Sequence, residues 1–363
     1  MNILFLTTHC NAGGITSYLL TLSKGLINKG HNIFLISSGG DQEGVFRELG
    51  VKVYDIDLKT KSELSLKIYL SIIPIIKFIK ENKIDIIHAQ TRVTQVLMSI
   101  LKNFVDVHCV GTCHGFFKTR LSRKIFKCWG DSIIAVSKPV KRHLIDDFCV
   151  DENKVYVINS GIDTHKFAKY SKDDRQKQRE ALGLKEEDFI IGMVARLSDV
   201  KGQDIIIKAM PKIIKKAPNA KLLLCGQGKL EYYLRGLTKS LGLKDTVIFN
   251  SMINQSVLLL NTFDVLAVPS RQEGLGLSVM EAQSCQLPVI ASNVGGIPNI
   301  IEDGKTGLLV QPENPDLLAE AVIYLYKNSE IRNKLGKAAR EFIVKEDFIG
   351  NMIKKTEQVY INS

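Results

Sequence analysis

Two glutamates, an arginine, a lysine and a histidine carry the chemistry legible in this sequence. Glu273 stands in the run Pro269-Ser-Arg-Gln-Glu273-Gly-Leu-Gly-Leu277, and Glu281 follows inside a helical pattern. Carboxylates accept hydrogen bonds and therefore suit hydroxyl groups. Gly274 and Gly276 let a backbone approach a ligand closely, and a helix beginning beside them offers free N–H groups to an anion. Arg196 and Lys201 fall at a strand end and a helix start, where a planar fork and a point charge can converge on one diphosphate. Two unrelated surface cations are the plainer account of the same pair. His114, in Gly111-Thr-Cys-His114-Gly, ends another strand and is either a turn residue or a group facing a ligand at a sheet edge. A ligand bearing both phosphates and sugar hydroxyls would use all five side chains.

These groups need rigid elements behind them. Asp264 to Val268 is an apolar run of strand length, stopped by Pro269 and Ser270. Ser278 to Ser284 reads as a helix with Val279, Ala282 and Cys285 on one stripe. Phe189 to Ala195 is a strand that Arg196 ends, and a helix runs from Lys201-Gly202 to Lys216. Leu222 to Cys225 is a strand followed by Gly226-Gln-Gly228, a lone G-x-G that is weak by itself. Asn2 to Thr8 leads into Gly13-Gly14 and an amphipathic helix from Ile15 to Lys29. That arrangement also suits an anion, and a tight turn accounts for it equally well. Further strands are expected at Asn32–Ser37, Val51–Ile56, Ile84–His88, Val107–Thr112, Ser132–Ser137 and Val247–Asn250. Further helices are expected at Leu64–Ile79 (kinked by Pro74), Asp316–Lys327, Ile331–Val344 and Phe348–Tyr360. Strands alternating with helices predict an α/β chain built on parallel sheets.

The 363 residues suffice for two domains, and 45% apolar with 24% charged content excludes a disordered or fibrous chain. The start of the chain lacks the basic lead of a secretory signal, and no apolar run reaches bilayer length. Seven scattered cysteines read as reduced thiols in a cytoplasmic protein. Zinc held by His108, Cys109, Cys113 and His114 is disfavoured, because no second cluster follows, so no metal is expected. The net charge is +11, and the first 170 residues hold 23 Lys and Arg against 15 Asp and Glu. Lys118, Arg120, Arg123, Lys124 and Lys127 interleave with Phe116, Phe117, Leu121, Ile125, Phe126 and Trp129. This predicts a basic amphipathic helix, either a solvated face or a site for anionic lipid head groups. Nucleic acid ranks below both as a partner.

The Glu273/Glu281 pair within Pro-Ser-x-x-Glu-Gly-x-Gly-Leu, followed by Leu287-Pro-Val-Ile-Ala-Ser-Asn-Val-Gly-Gly-Ile-Pro298, resembles the signature of glycosyltransferase family 4. The resemblance covers nearly the whole chain. It is most specific from Arg196 to Pro298 and weakest from Val45 to Val107. It implies the GT-B fold: two Rossmann-like doubly wound α/β domains facing across a cleft. Residues 1–165 would form the acceptor-side domain, 166–345 the nucleotide-sugar domain, and 346–363 a C-terminal helix returning to the first. It implies a retaining, metal-independent hexosyl transfer from a UDP- or GDP-linked sugar, with no cofactor, to a saccharide or lipid-linked acceptor. Surface polysaccharide or lipopolysaccharide synthesis, peripheral on the inner face of the plasma membrane, is the expected setting.

Residue by residue, the resemblance implies that Arg196 and Lys201 hold the diphosphate and Glu281 the ribose. Glu273 and the amides of Gly274, Leu275, Gly276 and Leu277 would position the phosphates and sugar, and His114 would meet a sugar hydroxyl. Gly13, Gly14, Gly226 and Gly228 would line the donor. The sequence departs from the family pattern at Asn250-Ser251-Met-Ile, Gln286 and Asn299, and Ser160 separates Asn159 from Gly161. A sugar-nucleotide epimerase on the same fold is the alternative activity. A non-enzymatic basic binding protein is the other alternative, and the joint presence of the five chemical side chains argues against it.

Overall fold

Ile3 to Leu6 are apolar at every position because both faces of their strand are covered. Ile3 and Phe5 pack on one side with Leu19, Leu22 and Leu26. Leu4 and Leu6 pack on the other with Ile75, Leu97 and Met98. Each such side chain contributes about 1.5–3 kcal/mol by leaving water, which favours a sheet covered on both faces. The computed structural model describes residues 1–60, 62–63, 65–251 and 256–362, with all their side chains except that of Ser122. The expected helix start at Leu64 and the segment Met252-Ile253 lie outside the described residues.

Among the described residues, two parallel sheets form. The first contains β1 (Asn2–Leu6), β2 (Asn32–Ser37), β3 (Lys52–Asp55), β4 (Ile86–Ala89), β5 (His108–Cys113), β6 (Ser132–Ala135) and β7 (Val155–Val157). Its order is β3-β2-β1-β4-β5-β6-β7. The second contains β8 (Phe189–Val194), β9 (Ala220–Cys225), β10 (Val247–Asn250), β11 (Val265–Val268), β12 (Val289–Ser292) and β13 (Leu308–Val310), in the order β10-β9-β8-β11-β12-β13. Each order reverses direction once, between β1 and β4 and between β8 and β11. Ligands of open α/β sheets sit beyond the strand ends at such a reversal.

The chain divides into two compact units, at Gly161/Ile162 and again at Asp347/Phe348. The final helix, Phe348–Ile361, belongs to the first unit, where Met352, Val359 and Tyr360 join the core beside Phe5 and Leu22. A side chain at Gly25 would collide with Ile353, so the helix Gly14–Asn28 is kept thin where that last helix lies on it.

The basic helix expected after His114 is much shorter than its pattern, spanning only Leu121–Ile125. Tertiary contacts divide the pattern. Trp129 is buried under the Arg92 guanidinium, 4.5 Å from its ring centre, and Arg123 is drawn to Glu63 at 2.6 Å. Leu121, Ile125 and Phe126 remain exposed.

Candidate functional site

In the second unit, β8 and β11 are neighbours, with Val265 paired to Ile191 and Leu266 to Gly192. The loops leaving their C-terminal ends therefore meet. After β8 the chain passes Arg196 into the short 3-10 turn Asp199–Lys201, which Gly202 closes at φ 70° before the helix Gln203–Ile214. After β11 it passes Glu273 and reaches Gly276, at φ 102°, which caps the helix Leu277–Ser284. Few residues but glycine adopt that left-handed backbone cheaply.

The result is a charged pocket edge. Lys201 Nζ donates to Glu273 Oε2 at 2.6 Å, and Ser270 Oγ lies 3.4 Å from the same oxygen. Lys201, Glu273, Ser270 and Ser278 line one pocket with Ala195 and Val268. The first helical amides, those of Leu277 and Ser278, have no intrahelical acceptor by helix geometry. Arg196, next to Ala195, is exposed, and among the described residues its guanidinium has no ion-pair partner. Its carbonyl is tied down by Gln203 Nε2 at 2.9 Å.

Glu281 behaves differently from Glu273. Its carboxylate is half-buried and, among the described residues, has neither a hydrogen bond nor an ion pair. Burial pushes its carboxyl up to about 7, opposed only by the charge of Lys166. Such a group gains when hydroxyl donors reach it, because they supply the hydrogen bonds that water no longer provides.

The glycines divide by cause. A Cβ at Gly226 would run into the Ala195 carbonyl oxygen, and one at Gly228 into that of Leu197. Close packing of the loops after β9 and β8 thus requires both residues. A Cβ at Gly296 would run into the Gly274 carbonyl oxygen, and the Gly296 N–H donates to the Glu273 carbonyl at 3.0 Å. Leu275 is core. Gly13, by contrast, is exposed, and a Cβ there would meet only the Asn11 oxygen at 4.0 Å. Gly13 caps and Gly14 begins the helix Gly14–Asn28.

His114 lies in the first unit, just past β5. Its Nε2 donates to Gln90 Oε1 at 2.9 Å, which leaves Nδ1 as an acceptor. Its ring meets that of Tyr18 edge-on at 4.9 Å, and burial holds it down to about 3, so the imidazole is neutral. Behind it, His88 bridges the hydroxyls of Tyr360 and Thr112, each at 2.6 Å, and burial followed by the nearby His114 lowers it to about 3. Burial raises the Cys109 and Cys113 thiols to about 12. Among the described residues, no three His, Cys, Asp or Glu side chains gather as metal ligands.

The candidate residues therefore divide between the units. Gly13, Gly14 and His114 belong to the first, and the remainder to the second. The structure brings Lys201 and Glu273 into direct contact, whereas the sequence assigned them to different parts of a ligand. Sequence reasoning missed Ser270, Ser278 and Lys166. The two serines stand inside the motif itself, and their place beside a carboxylate and a helix start was the available signal.

Residues 174–342 match the family model for glycosyl transferases group 1, and residues 12–166 match that for glycosyltransferase family 4. An uncharacterised glycosyltransferase of Methanocaldococcus jannaschii is 28% identical over 96% of this chain and 94% of its own. The UDP-Gal:alpha-D-GlcNAc-diphosphoundecaprenol alpha-1,3-galactosyltransferase of Escherichia coli is 29% identical over 80% of this chain and 79% of its own. Among solved structures, Anabaena HepE in complex with UDP-glucose has the same fold, with a TM-score of 0.88 at 22% identity over 100% of both chains.

Proposed function

The chain belongs to glycosyltransferase family 4, and we propose that it moves a sugar from a UDP- or GDP-linked donor to a saccharide or lipid-linked acceptor, with retention at the anomeric carbon. The observation that carries this reading is the Lys201–Glu273 contact at the reversal between β8 and β11. A UDP donor is favoured by the names of the Escherichia coli relative and of the HepE complex.

In this reading the donor diphosphate takes Lys201 from Glu273, adds Arg196, and rests on the amides of Leu277 and Ser278. Glu273, released, accepts hydrogen bonds from the transferred sugar. Glu281 accepts them from the ribose, where its unpartnered carboxylate finds its donors. His114 Nδ1 accepts a bond from a sugar hydroxyl. As the glycosidic bond breaks, negative charge grows on the leaving diphosphate, so cations already fixed there stabilise the transition state more than the ground state. The protein's own Lys and Arg supply that charge, and no step calls for a metal.

The acceptor side is proposed to work at an anionic membrane surface on its cytoplasmic face. Exposed Leu121, Ile125 and Phe126 stand among Lys118, Arg120 and Lys124, an apolar and basic mixture suited to head groups. Cosedimentation with phosphatidylglycerol vesicles, but not with phosphatidylcholine vesicles, is expected. Equal behaviour with both lipids removes the membrane from the proposal.

The donor reading is tested by calorimetric titration with UDP and with GDP in EDTA. Binding of one nucleotide and not the other is expected. Binding of neither overturns the assignment, and release of an epimerised sugar without any acceptor would replace transfer by epimerisation.

A further inference from the structure

We infer that Arg271 and Asp204 are positioning residues that lock the Lys201 turn against the Glu273 loop and so set the geometry of the diphosphate site. The inference rests on the donor reading above. Asp204 lies in the first turn of the helix Gln203–Ile214 and is 9% exposed. Both of its oxygens are taken by the Arg271 fork, Oδ1 by Nη1 at 2.9 Å and Oδ2 by Nη2 at 3.0 Å. Nη1 also donates to the Asp199 carbonyl at 2.7 Å. The Arg271 backbone N–H donates to the Val200 carbonyl at 2.8 Å. Beneath them, a Cβ on Gly202 would run into the Pro269 carbonyl oxygen. Residues 199–202 and 269–272 are thus fastened through a side-chain fork, a backbone bond and a close backbone contact.

Lys201 lies within the first fastened segment, and Glu273 directly follows the second. A lysine has a long, rotatable stem, and fixing its base limits where the ammonium can go. Planar bidentate pairing adds direction that a point charge would not, so Arg271→Lys should not substitute fully. Burial opposes ionisation of Asp204, but the hydrogen bonds from Arg271, then Lys208, hold its carboxyl below the ordinary range. The pair therefore stays charged at neutral pH. Glu313 and Lys208 are the outer charges, Glu313 pairing with Arg271 and Lys208 with Asp204 at 3.1 Å.

A second ion pair in the same unit serves as the control. Arg175 pairs with Asp264 at 2.8 Å, away from the pocket residues. The experiment is a double-mutant cycle on the full chain, read by UDP calorimetry and thermal denaturation. Arg271→Ala is expected to weaken UDP about tenfold in the parent but less than about twofold in a Lys201→Ala background, because coupled residues are not additive. Asp204→Asn should reproduce the result, Arg271→Lys should restore part of the affinity, and Arg175→Ala should lower the melting temperature without changing affinity. If Arg271→Ala does not fold, Asp204→Asn carries the same cycle. Equal losses in both backgrounds, or no loss in the parent, overturn the positioning role alone. A Lys201→Ala protein that binds UDP as the parent does overturns the donor reading, and the positioning role with it.

Discussion

Lys201 and Glu273 face one another as a partly exposed ion pair, whereas His114 and His88 stand in a web of neutral hydrogen bonds. The two regions occupy equivalent places, the C-terminal edges of two parallel sheets, and hold their polar groups by opposite means. Charges stripped of water cost several kcal/mol each unless tightly paired, and the Lys201–Glu273 pair, with side chains 25% and 13% exposed, keeps contact with water and stays exchangeable. Neutral rings and hydroxyls can be buried if each finds a partner, and in the first unit His88, Thr112 and Tyr360 are buried in this way.

The largest expected effect that would break this contrast concerns pH. The Glu281 carboxyl stands at about 7 in the folded protein, above its ordinary 4.5. The folded state therefore binds extra proton between those values, and stability falls as pH rises through that window. Glu281→Gln removes the penalty and should raise stability at pH 8 by up to about 3 kcal/mol, with the gain shrinking towards pH 4.5. Denaturant unfolding at the two pH values measures it. A constant gain would mean that packing, not charge, was responsible.

His88 predicts the opposite slope. Its folded value of about 3 lies below its ordinary 6.5, so the unfolded chain binds more proton between them and stability is lost as pH falls. Between pH 7 and pH 5 His88 should contribute about 2 kcal/mol of this loss and His114, also held at about 3, a similar amount, so His88→Gln should roughly halve the loss in the first unit. Hydrogen exchange of β4 and β5 amides at each pH reads this directly, and unchanged protection would sink the idea.

Smaller in free energy, but decisive for function, is Lys201→Ala. Loss of a charge-assisted bond to the diphosphate should weaken UDP roughly tenfold to a hundredfold, and Arg196→Ala should act similarly. His114→Ala should leave UDP affinity unchanged while slowing transfer. Equal loss of UDP binding in all three would erase the distinction between the regions.

The smallest effect sharpens the comparison between glycines. Gly13→Ala should change thermal stability by less than about 0.5 kcal/mol, because space surrounds it. Gly228→Ala, forced against the Leu197 carbonyl, should cost well over about 1 kcal/mol. Similar melting temperatures for the two variants would contradict the packing.

Much of the site was readable in advance where its parts are close in sequence. The strand Val265–Val268, the stop at Pro269 and the helix from Leu277 follow from local pattern, and they place Glu273, Gly276 and Glu281 correctly on loop and helix. The basic run after His114 misled for the complementary reason. Its helical period is real over Leu121–Ile125, but Arg92, distant in sequence, holds Trp129 outside the helix, and Glu63 takes Arg123.

The sequence by itself determined the type of most strands and of the longer amphipathic helices, because apolar period, glycine and proline act over a few residues. It also determined the chemical vocabulary, two carboxylates with cations and a glycine loop. Only the tertiary structure decided that β8 lies beside β11, and hence that Lys201 meets Glu273 and Asp204 meets Arg271. It likewise decided that Gly226 and Gly228 are demanded by backbone crowding, and that His88 finds Tyr360 from the far end of the chain. Strand order is set by how crossover helices bury their faces on both sides of a sheet. That is a sum over the whole unit, and no single stretch of sequence carries it.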